Sequence, residues 1–354
     1  MNRDELEKRN VGENLDVLMN LDPRGYGVCR ILYAGSREHT GGPLTMSAAQ
    51  ALCGTVKEGD AVFILTGFVL LPHKVPEMDG MVSSMLLARA LVLAFGAKPV
   101  IICPEDSVEA VKRCASVVGL HIYEDIDTVM ELPLSMGVQA FTKNGEEAQA
   151  QAEALLEKVL PSAVIAVEAP GANACGHYHN AGGMDVTALE AKSDVLWNLL
   201  KARGVLNIAI GDLGNEIGMG AIADHIRRYV PFTDKGECRC GCGGGILAAT
   251  ETDHIITATC SDWGCYGLMA AMAYLKRDME ILHREEMEAE VMRVLARSGM
   301  IDMTGSLLPG IDGFDTRMNT SIVGLMRQCT SYAVRYSHNS DHWFGPVLEK
   351  GFFE

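Results

Sequence analysis

Short apolar runs alternate along the chain with longer segments whose apolar positions recur at helical spacing. The runs have the length and composition of buried strands, and the segments between them are long enough for helices. Strands are predicted at residues 61–65, 99–103, 121–123, 163–168, 206–210 and 254–258. Helices are predicted at residues 80–95, 107–118, 146–159, 190–203, 216–229 and 264–275. This alternation predicts an α/β fold, a three-layer sandwich with a mainly parallel or mixed sheet flanked by helices.

The C-terminal part of the chain has a different pattern. Residues 279–297 predict an amphipathic helix whose acidic face we expect to be solvated. That face consists of Glu285, Glu286, Glu288 and Glu290. Glycine-rich turns follow, and then another predicted helix at 320–332. A length of 354 residues allows one or two domains. We interpret residues 1–354 as a single α/β domain in which 279–354 form a small helical C-terminal appendage.

Charge and composition exclude several classes of partner. The 46 acidic residues exceed the 30 basic ones, so the formal net charge is −16. This charge opposes binding to nucleic acid or to an anionic membrane. The chain has no run of about 18 apolar residues, and its first ten residues, MNRDELEKRN, lack the apolar core of a secretory signal. Eleven cysteines, several of them within apolar runs, favour a reducing and therefore cytoplasmic location.

Ligands of open α/β sheets bind beyond the carboxyl ends of the strands, and four polar clusters occupy such positions here. The first follows strand 61–65 and includes Thr66, Gly67 and Lys74. It ends with Glu77 and Asp79, which are spaced to face the same side of an extended segment and suit a hard divalent cation. Asp79 is equally well placed to cap the helix that follows it.

The second cluster follows strand 163–168. Glu168 ends this apolar run, where a carboxylate is costly unless it is paired or lies in a solvated cleft. His177, His179 and Asn180 come next, in a glycine-containing loop. The two histidines can bind zinc or carry protons, since imidazole titrates near neutral pH. The ordinary alternative is that both are solvated surface side chains.

The third cluster is the decapeptide GDLGNEIGMG at 211–220. It joins a strand, a glycine-rich turn and a predicted helix start, so the backbone N–H groups from Gly214 to Gly218 can hold an anion such as a carboxylate. The spacing matches neither the phosphate loop nor the dinucleotide fingerprint. Asp212, Asn215 and Glu216 add oxygen ligands within the same turn, although Asn215 can also be a helix cap.

The fourth cluster, Asp262 and Trp263, follows strand 254–258. Asp262 can contact a ligand or cap the next helix, and Trp263 can form a pocket wall or belong to the core. Between the third and fourth clusters lie Cys238, Cys240 and Cys242. Zinc knuckles favour a C-x2-C spacing, so this C-x-C-x-C run is interpreted as a reduced loop, with a structural zinc or redox cluster as the alternative.

Taken together, these motifs resemble the D-glutamate cyclase family, and more narrowly its C-terminal domain. They are TGF at 66–68 with E-x-D-G at 77–80, E-x-P-G at 168–171 with Y-x-N at 178–180, GDLGNEIGMG at 211–220, SDWG at 261–264 and I-D-G at 311–313. The resemblance runs from Arg24-Gly25 to about Gly313. The chain departs from the pattern at His73-Lys74, at Ala169 where an arginine is common, and in its thiol-rich loop.

The resemblance implies a lyase that converts D-glutamate to 5-oxo-D-proline and water with the help of a divalent metal ion. Our hypothesis assigns the binding of Mg²⁺, Mn²⁺ or Ca²⁺ to Glu77, Asp79, Glu168, Asp212 and Glu216. It assigns substrate binding to Thr66, Gly67, Asn180, Gly214, Asn215, Gly218 and Asp262. The catalytic candidates are Lys74, which would hold a substrate carboxylate, and His177 or His179 as the base.

Three other functions remain open at the level of sequence. A metal-dependent hydrolase of a small phosphorylated or amide substrate would use the same acidic cleft. A non-catalytic amino-acid-binding protein would keep the anion-binding turn without needing a metal. A zinc-stabilised interaction module would use the cysteines. For each of these functions except the last we expect a small-molecule partner. A homo-oligomer is compatible with all of them.

Overall fold

The computed structural model of the chain describes residues 1–336 and 341–353. The helices of that part are α1 (Arg3–Met19), α2 (Val28–Thr40), α3 (Leu44–Thr55), α4 (Met81–Phe95), α5 (Glu105–Cys114), α6 (Ile126–Glu131), α7 (Gly145–Lys158), α8 (Ser193–Ala202), α9 (Ala223–Tyr229), α10 (Ser261–Lys276), α11 (Glu285–Arg297), α12 (Thr316–Tyr336) and α13 (Asp341–Glu349). The strands are β1 (Ala61–Leu65), β2 (Val69–Leu70), β3 (Val75–Pro76), β4 (Lys98–Pro104), β5 (His121–Tyr123), β6 (Ser135–Phe141), β7 (Ala163–Val167), β8 (Leu206–Gly211), β9 (His254–Thr257), β10 (Gly310–Ile311) and β11 (Phe314–Asp315).

A seven-stranded sheet in the order β5-β6-β4-β1-β7-β8-β9 forms the middle layer. Every pairing within it is parallel. Helices cover both faces, which explains why β1 and β7 are apolar at every position. Along β1, Val62 and Ile64 enter one core while Phe63 and Leu65 enter the other. The predicted three-layer α/β sandwich with flanking helices is confirmed.

One strand of this sheet was not predicted from sequence. Strand β6 lies between β5 and β4, yet Gly137 and Gln139 interrupt its apolar pattern. Gly137 packs closely against β4, where an ideal Cβ would lie 3.1 Å from Val100 Cγ2. Tertiary packing in the sheet therefore outweighs a weak local preference for strand structure.

The prediction of a helix at 216–229 is wrong for the first half of that range. Only α9 (Ala223–Tyr229) is α-helical, and a 3₁₀ turn, Gly220–Ile222, precedes it. Gly218 has a φ of +92°, and an ideal Cβ there would lie 2.2 Å from Ala209 Cβ. The glycine-rich segment is therefore a tight turn pressed against β8 instead of a helix start.

The C-terminal part follows the prediction with two corrections. Helix α11 begins at Glu285 instead of residue 279, because Ile281, Leu282 and His283 are buried in a loop that precedes it. Its acidic face is not wholly solvated, since Glu288 is completely buried. Positions 337–340 and 354 of the predicted appendage lie outside the described residues. No helix in the described ranges combines the length and the apolar character that crossing a membrane requires.

Glu288 of α11 meets His283 inside the protein. His283 Nε2 lies 3.4 Å from Glu288 Oε2, and the two side chains are 1% and 0% exposed. Burial raises the pKa of Glu288 to about 8. Burial also lowers the pKa of His283 to about 3. At neutral pH the pair is therefore an uncharged imidazole beside an uncharged carboxylic acid.

We expect Glu288→Gln to remove part of the pH dependence of stability. The unfolded carboxyl ionises near pH 4.5, whereas the folded group keeps its proton up to about pH 8. Its favourable contribution is thus complete below pH 4.5 and is lost as the pH rises through 8. Between pH 6.5 and 8 the loss is about 2 kcal/mol. Urea unfolding at these two pH values should show this extra loss in the wild type and not in the variant.

The matched control for this measurement is Glu286→Gln, because Glu286 lies on the same helix and is exposed. Its pH dependence should equal that of the wild type. Identical slopes for the wild type and for Glu288→Gln would contradict the assignment of a buried proton to Glu288.

Candidate active site

A pocket of about 260 Å³ opens at the carboxyl ends of the central strands. The ends of β7, β8 and β9 contribute Glu168, Asp212 and Thr259, and the loops after α1, β1 and β3 complete the wall. Six carboxyl side chains belong to the lining, and they are Asp22, Glu77, Asp79, Glu168, Asp212 and Asp312. The pocket therefore lies where ligands bind in open α/β sheets.

Two groups of carboxylates converge at this pocket. Oxygens of Asp79, Asp212 and Asp312 lie within 4.8 Å of one another. Oxygens of Glu168, Asp212 and Glu216 satisfy the same distance. Asp212 belongs to both groups and stands at the centre of the site. Four residues of the predicted metal site, Asp79, Glu168, Asp212 and Glu216, belong to these two groups, and Glu77 lines the same pocket. Glu216 is completely buried and lies outside the pocket lining.

The electrostatic cost of this arrangement appears in the pKa values. Burial raises the pKa of Glu168 well above its ordinary value, and the charges of Asp212 and Glu216 raise it further. Burial followed by the charges of Asp312 and Asp79 does the same to the pKa of Asp212. Burial and then Asp79 raise the pKa of Asp312 to about 8. Burial and mutual repulsion therefore oppose the simultaneous ionisation of these carboxyls unless a cation neutralises them.

Asp79 and Asp262 join the N-termini of two helices. The Asp262 carboxylate accepts hydrogen bonds from the N–H groups of Gly80 (3.1 Å) and Ser83 (2.5 Å) at the start of α4. Asp79 Oδ1 in turn accepts from the N–H of Asp262 at 3.1 Å, at the start of α10. Each aspartate thus caps the other one's helix, so the prediction that Asp262 caps its own helix is wrong. Both positive helix ends point at the acidic pocket and favour its negative charge.

Trp263, which follows Asp262, belongs to the core. It is fully buried and stacks on Phe314 with ring centroids 4.8 Å apart. Its Nε1–H donates to Asn319 Oδ1 at 2.7 Å. This tryptophan therefore packs α10 against the core and does not line the pocket.

Glu168 is held in an unusual backbone conformation. Its φ is +44°, in the left-handed region that side chains other than glycine rarely adopt. Gly80 packs against this point, where an ideal Cβ would lie 2.5 Å from Glu168 Cβ. Ser261 Oγ donates to Glu168 Oε2 at 2.6 Å and fixes the carboxyl group. Strain of this kind concentrates at functional sites, because it must be maintained by the surrounding structure.

A side chain of the same segment fills the anion-binding turn that was predicted at Gly214 to Gly218. Glu216 folds back and accepts hydrogen bonds from the N–H groups of Asp212, Leu213 and Gly214 at 2.9, 2.7 and 2.6 Å. The N–H of Gly218 donates to Thr250 Oγ1 instead. These four N–H groups therefore have partners within the protein and do not face the pocket as donors for a substrate carboxylate.

Other predicted substrate contacts are placed as follows. Asn180 and Asn215 line the pocket, and Asn215 Oδ1 is buried without a hydrogen-bond partner among the described residues. Thr66 Oγ1 is likewise buried and unpartnered within the described chain, beside Gly80. Gly67 packs against Pro104, away from the pocket lining. Asn215 and Thr66 therefore retain polar atoms that a ligand or water can satisfy.

The three catalytic candidates from sequence lie outside the pocket. Lys74 is exposed at the tip of the β2–β3 hairpin. His177 lies in a separate surface cleft, where its Nδ1 is 3.0 Å from Asp185 Oδ2. His179 is buried, and its Nε2 lies 3.1 Å from Cys240 Sγ. None of the three side chains lines the acidic pocket.

Arg24 supplies a positive charge to the pocket, which Lys74 does not line. It is the single cationic side chain among the described residues that line the pocket. Its Nη1–H groups donate to Asp312 Oδ2 at 2.6 Å and to Asp312 O at 3.0 Å, and Nη2–H donates to Thr259 O at 2.7 Å. Nε is buried and finds no acceptor in the described part of the chain. The guanidinium is thus held rigidly and keeps a donor for a ligand carboxylate.

Sequence reasoning assigned no site role to Arg24 or Asp312. Neither follows a strand of the main sheet: Arg24 is in the loop after α1, and Asp312 is in the turn between β10 and β11. The available signal was their position at the two ends of the family resemblance. Asp312 also has a φ of +51°, a second strained residue at the pocket.

The chain is an α/β protein with a parallel sheet and an acidic pocket at the carboxyl edge of that sheet, the place where such sheets commonly bind small ligands. The family described as D-glutamate cyclase-like, C-terminal, matches residues 15–327. The chain therefore belongs to the D-glutamate cyclase-like family. A similar protein is the human mitochondrial D-glutamate cyclase, which is 31% identical over 113 residues. That segment covers 32% of this chain and 17% of the human protein.

Proposed function

We propose that the protein is a lyase that converts D-glutamate to 5-oxo-D-proline and water in the acidic pocket. Family membership and the name of the human relative support the substrate class. The observation that carries the proposal is the pairing of one rigid guanidinium with a group of converging carboxyls in one pocket. The guanidinium is complementary in charge to the α-carboxylate of the substrate, and the carboxyls are complementary to its ammonium group.

Arg24 orients the substrate in this proposal. Its free Nε donor and its positive charge bind the α-carboxylate, while Asp312 and Thr259 keep the guanidinium plane fixed. The ammonium group then faces the carboxyls of Glu77 and Glu168. Such positioning brings the amine close to the γ-carboxyl carbon of the same molecule, which is the main requirement of an intramolecular cyclisation.

The reaction also requires proton transfer. The amine nitrogen forms a bond to the γ-carbon and one γ-carboxyl oxygen departs as water, so two protons of the ammonium group end on that oxygen. A carboxyl group with a raised pKa can accept the first proton and return it to the leaving oxygen. Glu168 is our candidate for this role, because burial and the charges of Asp212 and Glu216 raise its pKa. It replaces His177 and His179, which do not line the pocket.

The donor set also fits a divalent cation. Asp79, Asp212 and Asp312 offer only hard oxygen ligands within 4.8 Å of one another, and burial together with like charge makes their common ionisation unfavourable without a cation. We propose that these three side chains hold Mg²⁺, Mn²⁺ or Ca²⁺, with Glu77 next to them. When bound, the ion would supply Lewis-acid polarisation of the γ-carboxyl group.

Turnover assays test this function directly. The purified chain is incubated with D-glutamate or L-glutamate, with Mn²⁺ or with a chelator, and 5-oxoproline is quantified by chiral chromatography. We expect 5-oxo-D-proline from D-glutamate and a lower rate in chelator.

Two results would oppose the proposal in different ways. No product from either enantiomer under any metal condition rejects the cyclase. Tight binding of D-glutamate without turnover, measured by calorimetry, would instead favour an amino-acid-binding protein.

A further inference from the structure

The cysteine-rich loop and His179 form a second cluster of possible metal ligands. Ligand atoms of His179, Cys238, Cys240 and Cys242 lie within 4.8 Å of one another. Cys238 Sγ is 3.4 Å from Cys242 Sγ and 3.7 Å from Cys240 Sγ. His179 Nε2 is 3.1 Å from Cys240 Sγ and 3.8 Å from Cys242 Sγ. One imidazole nitrogen and three thiols therefore converge on one point.

These separations match a tetrahedral zinc site. Zinc–sulfur and zinc–nitrogen bonds of normal length place neighbouring ligands about 3.8 Å apart for two sulfurs and about 3.6 Å apart for sulfur and nitrogen. The four separations given above are between 3.1 and 3.8 Å, and the other two ligand pairs are no more than 4.8 Å apart. A single small cation can thus contact all four atoms after small side-chain adjustments.

The backbone explains how a C-x-C-x-C run can supply three ligands. Gly241 and Gly243 have φ values of +78° and +81°, so the chain reverses direction around Cys242. These turns bring the three thiols together although the C-x-C-x-C spacing differs from that of zinc knuckles. His179 supplies the fourth ligand from a different loop, at a distance of about sixty residues along the chain.

Hydrogen-bond donors surround the sulfur atoms of the cluster. The N–H groups of Cys242 and Gly244 point at Cys240 Sγ and Cys242 Sγ, each at 3.4 Å. Asn173 Nδ2 donates to Cys242 Sγ at 3.3 Å. Hydrogen-bond donors of this kind surround metal-bound thiolates and stabilise their charge.

The burial of His179 is an independent observation that points to a ligand. The residue is 1% exposed, and its Nε2 meets only sulfur atoms among the described residues. Its Nδ1 is buried without a partner within the described chain. A neutral imidazole held against three thiols in this way is poorly satisfied by S–H groups, which are weak donors and acceptors. A soft or borderline cation satisfies both ligand types at once.

We propose that His179, Cys238, Cys240 and Cys242 bind one zinc ion that has a structural role. Four protein ligands leave no open coordination position, as in structural zinc sites. The ion ties the 238–242 loop to the loop that carries His179. The next two residues after His179, Asn180 and Ala181, line the acidic pocket. Asn215 Nδ2 donates to His179 O at 2.9 Å, so the zinc fixes one wall of the pocket.

Metal analysis of the 354-residue chain tests this proposal. The reduced protein is purified without chelator and its zinc content is measured by mass spectrometry, with release by a mercurial reagent as a second readout. We expect about one zinc per chain, and a content at least about tenfold lower in His179→Gln and Cys242→Ser. Cobalt substitution should give the thiolate charge-transfer bands of a tetrahedral sulfur-rich site.

Three control variants locate the ion. His177→Gln changes a histidine two positions away that lies 3.0 Å from Asp185 and is part of another possible group with Cys240. Cys175→Ser changes an exposed thiol outside the cluster. Asp212→Asn changes the acidic pocket. All three should retain zinc at the wild-type level, so a loss of turnover and a loss of zinc can be told apart.

Three outcomes would overturn the proposal. One is a wild-type protein that contains no zinc as purified and takes up neither Zn²⁺ nor Co²⁺ after reduction. A second is a disulfide between Cys238 and Cys242 that remains in protein purified under reducing conditions, found by peptide mapping. Loss of zinc in His177→Gln, but not in His179→Gln, would also reject the ligand set.

Discussion

Asp212→Asn is expected to lower kcat/KM for the formation of 5-oxoproline by at least about 10³-fold, a loss of roughly 4 kcal/mol of transition-state stabilisation. Asp212 is the residue shared by both groups of converging carboxyls. The substitution preserves the shape of the side chain and removes only its charge. A large effect therefore reports on the electrostatics of the pocket and not on its packing.

The same substitution should leave stability unchanged or increase it. In the metal-free protein, burial and the charges of Asp312 and Asp79 raise the pKa of Asp212, which means that the folded state resists its ionisation. Removing an unfavourable buried charge relieves that cost. Loss of activity combined with an equal or higher Tm is typical of a functional residue and is the opposite of a damaged core.

Turnover assays check the first part of this prediction, and calorimetry and thermal unfolding, each with and without Mn²⁺, check the second. Mn²⁺ should raise the Tm of the wild type and raise that of Asp212→Asn much less, because binding to the folded state alone stabilises it. Asp224→Asn is the matched control, since the Asp224 side chain is fully exposed. Full activity in Asp212→Asn, or an unaltered response to Mn²⁺, would reject the carboxylate site.

The parts of the fold that could be predicted are those in which local pattern and tertiary role agree. Strand β1 has the predicted bounds because each of its five residues is buried. Strand β6 escaped prediction because Gly137 is selected by its fit against Val100, which the local sequence does not reveal. The N-terminal helices escaped for a similar reason, since the apolar faces of α1 and α3 pack on α10.

The residues of the candidate site also fall into a group that the sequence could predict and a group that it could not. Residues directly after strands were found, because the carboxyl ends of parallel strands meet at one edge of the sheet. Glu168 and Asp212 are of this kind. Arg24 and Asp312 come from connections outside the main sheet, and their meeting with the strand ends depends on tertiary packing. Glu216 was predicted as a metal ligand beside an anion-binding turn. Its own carboxylate occupies that turn and accepts hydrogen bonds from three backbone N–H groups.

Arg24→Lys is expected to raise KM for D-glutamate by about 10- to 100-fold with a smaller change in kcat. Lysine keeps the positive charge beside Asp312 but replaces the planar fork by a single ammonium group. The hydrogen bonds to Asp312 and Thr259 that hold the guanidinium, and the free Nε donor, are lost together. A contact to the α-carboxylate is made in both the ground state and the transition state, so its loss appears mainly in KM.

A substrate fragment makes this prediction specific to the α-carboxylate. 4-Aminobutyrate is glutamate without that group, so it should inhibit the wild type and Arg24→Lys equally, whereas D-glutamate should bind the variant more weakly. The control is Arg30→Lys, which changes an exposed arginine near the same loop and should leave both constants unaltered. Equal weakening of 4-aminobutyrate and D-glutamate in Arg24→Lys would show that the guanidinium only supports the pocket wall. An unchanged KM would show that the α-carboxylate does not bind at Arg24. The unpartnered amide oxygen of Asn215 could not replace Arg24, because an oxygen acceptor does not bind an anion.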